Sequence, residues 1–174
     1  MLKRFISLIL SVLMICSIFL GSNIIVTAAD ISYSETGAYS GLCGLDVRWS
    51  LNTISGTLTI TGTGEMQNYT ATYKAPWYNY RKNISMVIIQ TSVESIGNRA
   101  FYSCVNLKNI EMDYSVKTIG DEAFLGCSSL ESIILPRYLK NLGKNVFPSE
   151  ALKTINVSSL SSYFRSVLHC YNTY

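Results

Sequence analysis

Apolar residues recur at a fixed spacing in the second half of the chain. Six-residue runs with apolar side chains at their first, fourth and sixth positions begin at Ile84, Leu107 and Leu130, 23 residues apart. A fourth run begins at Leu152, one residue earlier than that spacing requires. Because side chains alternate between the two faces of a strand, the fourth and sixth positions share a face. The pattern therefore predicts four short strands that bury equivalent faces.

The segments between these runs repeat as well. Each copy contains a glycine, then a phenylalanine, and two copies contain a cysteine: Gly97, Phe101 and Cys104; Gly120, Phe124 and Cys127; Gly143 and Phe147. Glu150 stands in the third copy near the place of the cysteine. We expect a short second strand before each glycine, and a special backbone angle or a crowded turn at the glycine itself. The phenylalanines are expected to pack on the opposite side of the core.

A period of about 20 to 29 residues with this apolar spacing is typical of leucine-rich repeats, in which each unit forms a strand and stacks on its neighbour. Residues 116–136 read Val-x-x-Ile-Gly-x-x-Ala-Phe-x-x-Cys-x-x-Leu-x-x-Ile-x-Leu-Pro. This pattern resembles the BspA-type leucine-rich repeats of bacterial surface and secreted proteins. The resemblance implies a mainly β solenoid with short helical or 3-10 segments, in which residues 84–157 form the repeats.

Both ends of the array carry patterns of their own. Val47, Trp49 and Leu51, and then Leu58 and Ile60, alternate with polar residues on either side of a turn-rich break, which predicts an antiparallel hairpin over the first repeat. Residues 40–83 also resemble the N-terminal cap of the family. Apolar residues with helical spacing follow the array, which predicts a C-terminal cap helix over residues 158–174: Leu160, Phe164, Val167, Leu168 and Tyr171.

The N-terminus has the features of a secretory signal peptide. Lys3 and Arg4 precede an apolar stretch, and small residues follow, so cleavage is expected after Ala28 or Ala29. An uncleaved anchor helix over residues 5–26 is the alternative. We assign residues 1–29 to the signal peptide and residues 30–39 to a flexible N-terminus, and we expect no membrane span after cleavage. The protein is therefore predicted to be secreted or held at the cell surface.

Composition narrows the classes of function. The chain has 14 basic and 11 acidic residues, and two of the basic ones lie in the predicted signal peptide, so the exported part has a net charge of +1. This balance argues against nucleic-acid binding, which needs a basic face. His169 is the only histidine, which leaves no two-histidine metal site. No catalytic, cofactor-binding or metal-binding residues are predicted, and Glu111 with Asp113 and Asp121 with Glu122 are expected to be surface charge.

The cysteines leave two interpretations open. Cys104 and Cys127 occupy equivalent positions in adjacent repeats, so they either bridge or pack as buried thiols, and the resemblance places them as buried thiols. Cys43 and Cys170 lie in opposite predicted caps, and they cannot pair if the array keeps those caps apart. Either of them is then a free thiol or an intermolecular link.

The predicted function is a non-enzymatic protein-binding or adhesion module for an extracellular protein or cell-surface ligand, of unassigned oligomeric state. The alternative is a structural or spacer repeat domain, or a fragment of a larger surface protein, with no ligand of its own. The candidate residues for contact with a partner are the outward positions of the four strands: Met86, Ile88, Asn109, Glu111, Ser132, Ile134, Thr154 and Asn156. The exposed aromatic candidates for the same contact are Tyr73 and Tyr78, whereas Trp77 is expected to pack over the first repeat.

Overall fold

The structure is a computed structural model that describes residues 32–33, 37–148 and 150–157. The predicted signal peptide and C-terminal cap helix lie outside the described residues. In the part described, a 3-10 helical segment (Tyr78–Asn83) accompanies the strands, and no helix is long and apolar enough to cross a membrane. The strands are β1 (Ser32–Tyr33), β2 (Ala38–Leu42), β3 (Asp46–Asn52), β4 (Thr57–Glu65), β5 (Met86–Ile89), β6 (Val93–Ile96), β7 (Asn109–Met112), β8 (Thr118–Ile119), β9 (Ser132–Leu135), β10 (Asn141–Leu142) and β11 (Thr154–Val157).

The four strands predicted from the apolar runs are β5, β7, β9 and β11. Strand β5 pairs in parallel with β7, so that Val87 lies opposite Ile110, and β9 pairs in parallel with β11. The first residues of the first three runs, Ile84, Leu107 and Leu130, are fully buried. Each repeat thus places equivalent side chains over those of its neighbour, as the period predicts.

A second set of short strands runs beside the first. Strands β6, β8 and β10 pair in parallel, one repeat apart, and the end of β4 pairs with β6. Each of the three is followed directly by a repeated glycine, which confirms the predicted second strand. The chain therefore alternates between two parallel ladders, with the apolar core between them.

The repeated glycines stand in crowded turns. A Cβ atom on Gly120 would lie 2.6 Å from the backbone nitrogen of Asn98, and one on Gly143 would lie 2.5 Å from that of Asp121. The same addition at Gly97 would place Cβ against the carbonyl oxygen of Gln67. None of these three glycines has a positive φ. Crowding by the preceding repeat, and not an unusual backbone angle, is therefore what excludes a side chain.

Side-chain oxygens tie these turns together. Asn68 Oδ1 accepts a hydrogen bond from the Asn98 amide at 2.8 Å, and Asn98 Oδ1 accepts one from the Asp121 amide at 2.8 Å. Asp121 Oδ1 then accepts one from the Lys144 amide at 2.7 Å. Each residue after a repeated glycine therefore donates its amide to the preceding unit. This ladder fixes the stacking register on the side of the second strands.

An aromatic column fills the core on the side of these turns. The rings of Trp77, Phe101, Phe124 and Phe147 stack in order, with centroid separations of 5.7, 5.3 and 6.4 Å. The Trp77 indole also donates a hydrogen bond to the Ala100 carbonyl at 2.9 Å. Both expectations are confirmed: the phenylalanines share one column, and Trp77 packs on the first repeat.

The N-terminal strands extend the sheet that contains β5. Strands β3 and β4 form the predicted antiparallel hairpin, in which Trp49 lies opposite Ile60, and β4 runs parallel to β5. Strand β2 pairs with β3, and β1 pairs with β2. The segment 30–39, expected to be a flexible N-terminus, contains β1 and the start of β2. Tyr39 of β2 stacks on Tyr80 at 4.2 Å between ring centroids, which anchors β2.

The main sheet, which we define as β2, β3, β4, β5, β7, β9 and β11, is interrupted between β7 and β9. These two strands form no hydrogen-bonded ladder, although the units that contain them are joined by β6 with β8 and by the bond from the Phe101 amide to the Ala123 carbonyl at 2.9 Å. One cause lies in the sequence. The Asp113 amide donates to the Ile89 carbonyl at 3.1 Å, but the equivalent residue one repeat later is Pro136, which has no N–H to donate.

One loop position, Ser103, is strained in a way that a substitution can relieve. Ser103 has a φ of 57°, and the equivalent residue one repeat later, Gly126, has a φ of 80°. A left-handed backbone costs a non-glycine residue about 1 kcal/mol, part of which is offset by the greater unfolded-state entropy of glycine. We expect Ser103→Gly to raise the free energy of unfolding by about 0.5 kcal/mol in urea titrations. A clear loss of stability would contradict this reading of the loop.

Candidate functional site

The eight outward positions lie on the four repeat strands, where they alternate with buried residues on β5 and β9 and with half-buried residues on β7. Val87 and Ile89 of β5 and Ile133 and Leu135 of β9 are at most 2% exposed, and the residues between them face outward. Two of the candidates, Met86 and Ile88, are half-buried, so Ile134, at 60% exposure, is the prominent apolar residue of this set. Six candidates are exposed: Asn109, Glu111, Ser132, Ile134, Thr154 and Asn156.

The outward face continues onto the N-terminal strands. Ile88 lies opposite Thr59 of β4, Thr59 opposite Ser50 of β3, and Ser50 opposite Ser40 of β2. With strands about 4.8 Å apart, the seven strands of the main sheet span about 29 Å, against about 14 Å for the four repeat strands alone. Hydroxyl groups dominate the added part, so the wider face is polar and surrounds the apolar Ile134.

The tyrosines Tyr73 and Tyr78 belong to a different region. The Tyr73 ring stacks on Tyr69 at 5.8 Å, and its hydroxyl donates to the Gln67 side chain at 3.1 Å. Lys74 and Arg81 lie over the Tyr78 ring, with cation-to-centroid distances of 4.8 and 4.1 Å. These contacts all fall within residues 67–81. The structure therefore does not bring the two tyrosines together with the outward residues of the main sheet.

Two other tyrosines, absent from the predicted set, lie at the edge of the main sheet. Tyr114 and Tyr138 follow β7 and β9, are 60% and 53% exposed, and meet edge to face at 6.2 Å. The Arg137 guanidinium lies 5.5 Å from the Tyr138 ring centroid. The two tyrosines are 24 residues apart, one more than the period, so the alignment of repeats does not align them. The signal in the sequence that could have identified this pair is an aromatic residue in the turn after each of the two strands.

Acidic groups lie beside this aromatic pair. Glu111 is exposed on β7, and Asp113 follows that strand. Asp113 accepts hydrogen bonds from the Ser115 amide at 2.9 Å and from the Thr91 hydroxyl at 3.2 Å. Desolvation raises the pKa of the Asp113 carboxyl, but the hydrogen bonds from Ser115 and Thr91 outweigh it, and the pKa lies below its ordinary value. Asp113 is therefore ionised at neutral pH.

The other pair of neighbouring carboxylates supports the fold. Asp121 accepts the Lys144 amide, as described above, and Glu122 forms an ion pair with Arg99 of the preceding repeat. Among the residues that the structure describes, no group of three or more side chains could hold a metal ion. These carboxylates are therefore assigned to contacts between repeats.

The repeat cysteines are buried free thiols. Cys104 and Cys127 are at most 1% exposed and unbridged, and the Cys127 thiol donates to the Phe101 carbonyl at 3.1 Å. Burial raises the pKa of Cys127 to about 12 and raises that of Cys104 well above its ordinary value. Of the two interpretations, packed thiols are therefore correct for this pair. Cys43 is also a buried free thiol, and Cys170 lies outside the described residues.

The burial of these thiols predicts slow chemical modification. At pH 8, Cys43, Cys104 and Cys127 should resist a bulky maleimide in the native protein and react after unfolding, because they are both protonated and inaccessible. Cys127→Ala should lower the free energy of unfolding by about 1 to 2 kcal/mol by leaving a small cavity. Mass spectrometry of the labelled peptides measures the first effect. Rapid native labelling of both repeat cysteines would contradict their place in the core.

Several solved structures resemble this fold. A leucine-rich repeat protein from Eubacterium ventriosum is 25% identical, with a TM-score of 0.56 over 68% of this chain and 40% of that one. A Treponema pallidum leucine-rich repeat protein is 24% identical, with a TM-score of 0.40 over 62% of this chain and 60% of that one. A leucine-rich cell surface protein from Faecalibacterium prausnitzii is 21% identical, with a TM-score of 0.35 over 67% and 42%.

The chain spans less than two thirds of the length of each of these relatives. No curated protein matches the sequence, and the comparisons indicate no enzymatic relative. Residues 73–172 match a family model described as a BspA type leucine-rich repeat region with six copies. That match covers more than half of the chain and agrees with the repeat strands and the aromatic column. The chain therefore belongs to the BspA-type leucine-rich repeat family.

Proposed function

We propose that the protein is an exported, non-enzymatic binding module whose repeats form a capped solenoid and whose main sheet contacts an extracellular or cell-surface protein. The observation that carries this proposal is the outward face of the main sheet. Paired outward residues run from Ser40 of β2 to Glu111 of β7, and beyond the interruption Ile134 of β9 pairs with Asn156 of β11. Membership of a leucine-rich repeat family supports it, because such repeats present extended binding surfaces.

The chemistry of this face suits a protein partner. Short hydroxyl and amide side chains, such as Asn109 and Ser132, lose little conformational freedom on binding and still offer hydrogen bonds. On the four repeat strands they surround one exposed apolar side chain, Ile134, and one carboxylate, Glu111. A polar rim around an apolar anchor is typical of non-obligate protein interfaces.

A binding screen with matched variants tests this proposal. The full chain and a double variant, Asn109→Arg with Ser132→Arg, are each tested for binding to an array of purified extracellular and cell-surface proteins. Two long cations in the middle of the main sheet should weaken binding to a true partner about tenfold or more, through steric and desolvation costs. Asn141→Arg with Thr72→Arg adds the same charge to exposed positions off the main sheet and should have no effect. Equal binding by both variants would refute the assigned face, and no binding by any protein would favour the spacer alternative.

Export is tested separately. In a bacterial host, the mature protein should begin at Ala29 or Asp30, because the small residues before them suit a signal peptidase. Intact-mass measurement of the secreted or surface-associated protein checks this expectation. A mature protein that retains residues 1–28 would contradict the cleaved signal peptide and support the anchor helix.

A further inference from the structure

A groove crosses the carboxyl ends of β5, β7 and β9. We propose that it binds a short extended peptide segment in which a lysine or arginine is followed, two residues later, by an aromatic or aliphatic residue. The inference rests on the proposed function, since it names the kind of segment that a protein partner presents to the edge of the main sheet.

The groove consists of two openings that share one strand end. The first has a volume of about 480 Å³ and lies between residues 88–91 and 111–113. The second has a volume of about 400 Å³ and lies between residues 110–114 and 134–137. Both are lined by residues 111–113, so they adjoin across the end of β7. A ligand that fills both runs across the strands and not along them.

The interruption of the main sheet accounts for the second opening. Strands β7 and β9 form no ladder, and Pro136 at the end of β9 has no amide to offer β7. The same two repeats remain joined through β6 and β8. The ends of β7 and β9 are thus held side by side without hydrogen bonds between them. The groove therefore depends on how two repeats stack and not on the conformation of one loop.

The two halves of the groove differ in chemistry. Glu111 and Asp113 make the shared strand end acidic, and in the part of the chain that the structure describes neither carboxylate is in an ion pair. Thr91 donates to Asp113 at 3.2 Å and helps to hold its carboxylate in place. Ile134 and Arg137 border the second half, and the exposed edge-to-face pair Tyr114 and Tyr138 stands beside it, with Arg137 over the Tyr138 ring. The surface therefore matches a cation that is followed by an apolar group.

The dimensions favour a peptide of about three contacting residues. Crossing from β5 to β9 covers two strand steps, about 10 Å, and an extended peptide advances about 3.3 Å per residue. Residues i and i+2 of such a peptide project to the same side, about 7 Å apart. One side chain then reaches the carboxylates while the other reaches the tyrosine pair. A neutral glycan supplies no cation for Glu111 and Asp113, and an acidic glycan is repelled by them.

Defined peptides test this inference on the full chain. Fluorescently labelled Gly-Ser-Arg-Ser-Phe-Ser-Gly is compared by anisotropy with versions in which arginine is replaced by glutamate or phenylalanine by serine. The parent peptide should bind, added NaCl should weaken it, and each replacement should weaken it about fivefold or more. Glu111→Gln with Asp113→Asn should produce a similar loss and abolish the preference for arginine over glutamate. Glu131→Gln, which neutralises a single carboxylate at the amino end of β9, should leave binding unchanged.

Each failure has a distinct meaning. Equal affinity for the arginine and glutamate peptides, or no loss in the Glu111→Gln with Asp113→Asn variant, would overturn the peptide assignment. So would an absence of saturable binding up to about 5 mM peptide, or glycan binding that the same double variant removes. The proposed function is tested at Asn109 and Ser132, which do not line the groove. If binding of a protein partner were lost in the Asn109→Arg with Ser132→Arg variant but kept in the Glu111→Gln with Asp113→Asn variant, the proposed function would be supported and the peptide groove refuted.

Discussion

Phe124→Ala should lower the free energy of unfolding by about 3 to 5 kcal/mol. The Phe124 ring is fully buried between Phe101 and Phe147, at 5.3 and 6.4 Å from their ring centroids. Its removal leaves a cavity in the middle of the aromatic column and ends ring contact between successive repeats. Against a total stability of about 5 to 15 kcal/mol for an ordinary domain, the loss is large.

Urea titration followed by tryptophan fluorescence measures this effect, because Trp77 stands at the head of the same column. Leu45→Ala is the control, since Leu45 is 84% exposed in a turn and its truncation should change stability by less than about 0.5 kcal/mol. If Phe124→Ala and Leu45→Ala unfolded at the same urea concentration, the aromatic column would not be the core of the array.

Gly120→Ala should destabilise the protein by about 3 kcal/mol, although it adds a single methyl group. The new Cβ atom would lie 2.6 Å from the Asn98 nitrogen and 2.9 Å from the Gly97 carbonyl carbon. These backbone atoms directly follow β6, which is held close to Gly120 by its ladder with β8 and by the bond from the Gly120 amide to the Ile96 carbonyl at 2.9 Å, so relieving the contact would strain that ladder. The hydrogen bond from the Asp121 amide to Asn98 Oδ1 would be strained as well.

Lys140→Ala provides the matched control, because Lys140 is exposed in the next unit and alanine there should be nearly neutral. Thermal unfolding of the two variants and the parent separates the effects. A Gly120→Ala protein as stable as the parent would mean that the turns of successive repeats are not in contact as described.

The repeat architecture was readable from the sequence because two periods coincide. The alternation within each strand determines which residues face inward, and the 23-residue spacing superimposes those residues in successive units, so Val87 and Ile110 had to meet. The same spacing predicts that Phe101 and Phe124 occupy equivalent places in the core. Crowding at Gly120 was one of two explanations that the sequence allowed, and only the three-dimensional contact with Asn98 distinguishes them.

The candidate surface was less predictable where the period fails. Tyr114 and Tyr138 occupy different positions in their repeats, and their edge-to-face contact depends on how two turns project from the sheet. The interruption between β7 and β9 likewise follows from hydrogen-bond geometry between strands, of which Pro136 is the one visible sign in the sequence. Strand β2 pairs with β3 through backbone atoms, and a five-residue segment that contains Ser40 and Gly41 gives little signal of such pairing.

Site-specific crosslinking tests most directly whether the main sheet is the binding surface. Asn109, exposed on β7, and Asn141, exposed on β10 of the second ladder, are replaced one at a time by p-benzoylphenylalanine in the full chain. Each protein is irradiated with a purified binding partner from the array, and adducts are identified by mass spectrometry. An adduct through position 109 and none through position 141 is the predicted result, whereas an adduct through position 141 alone would contradict the assignment of the main sheet as the binding surface.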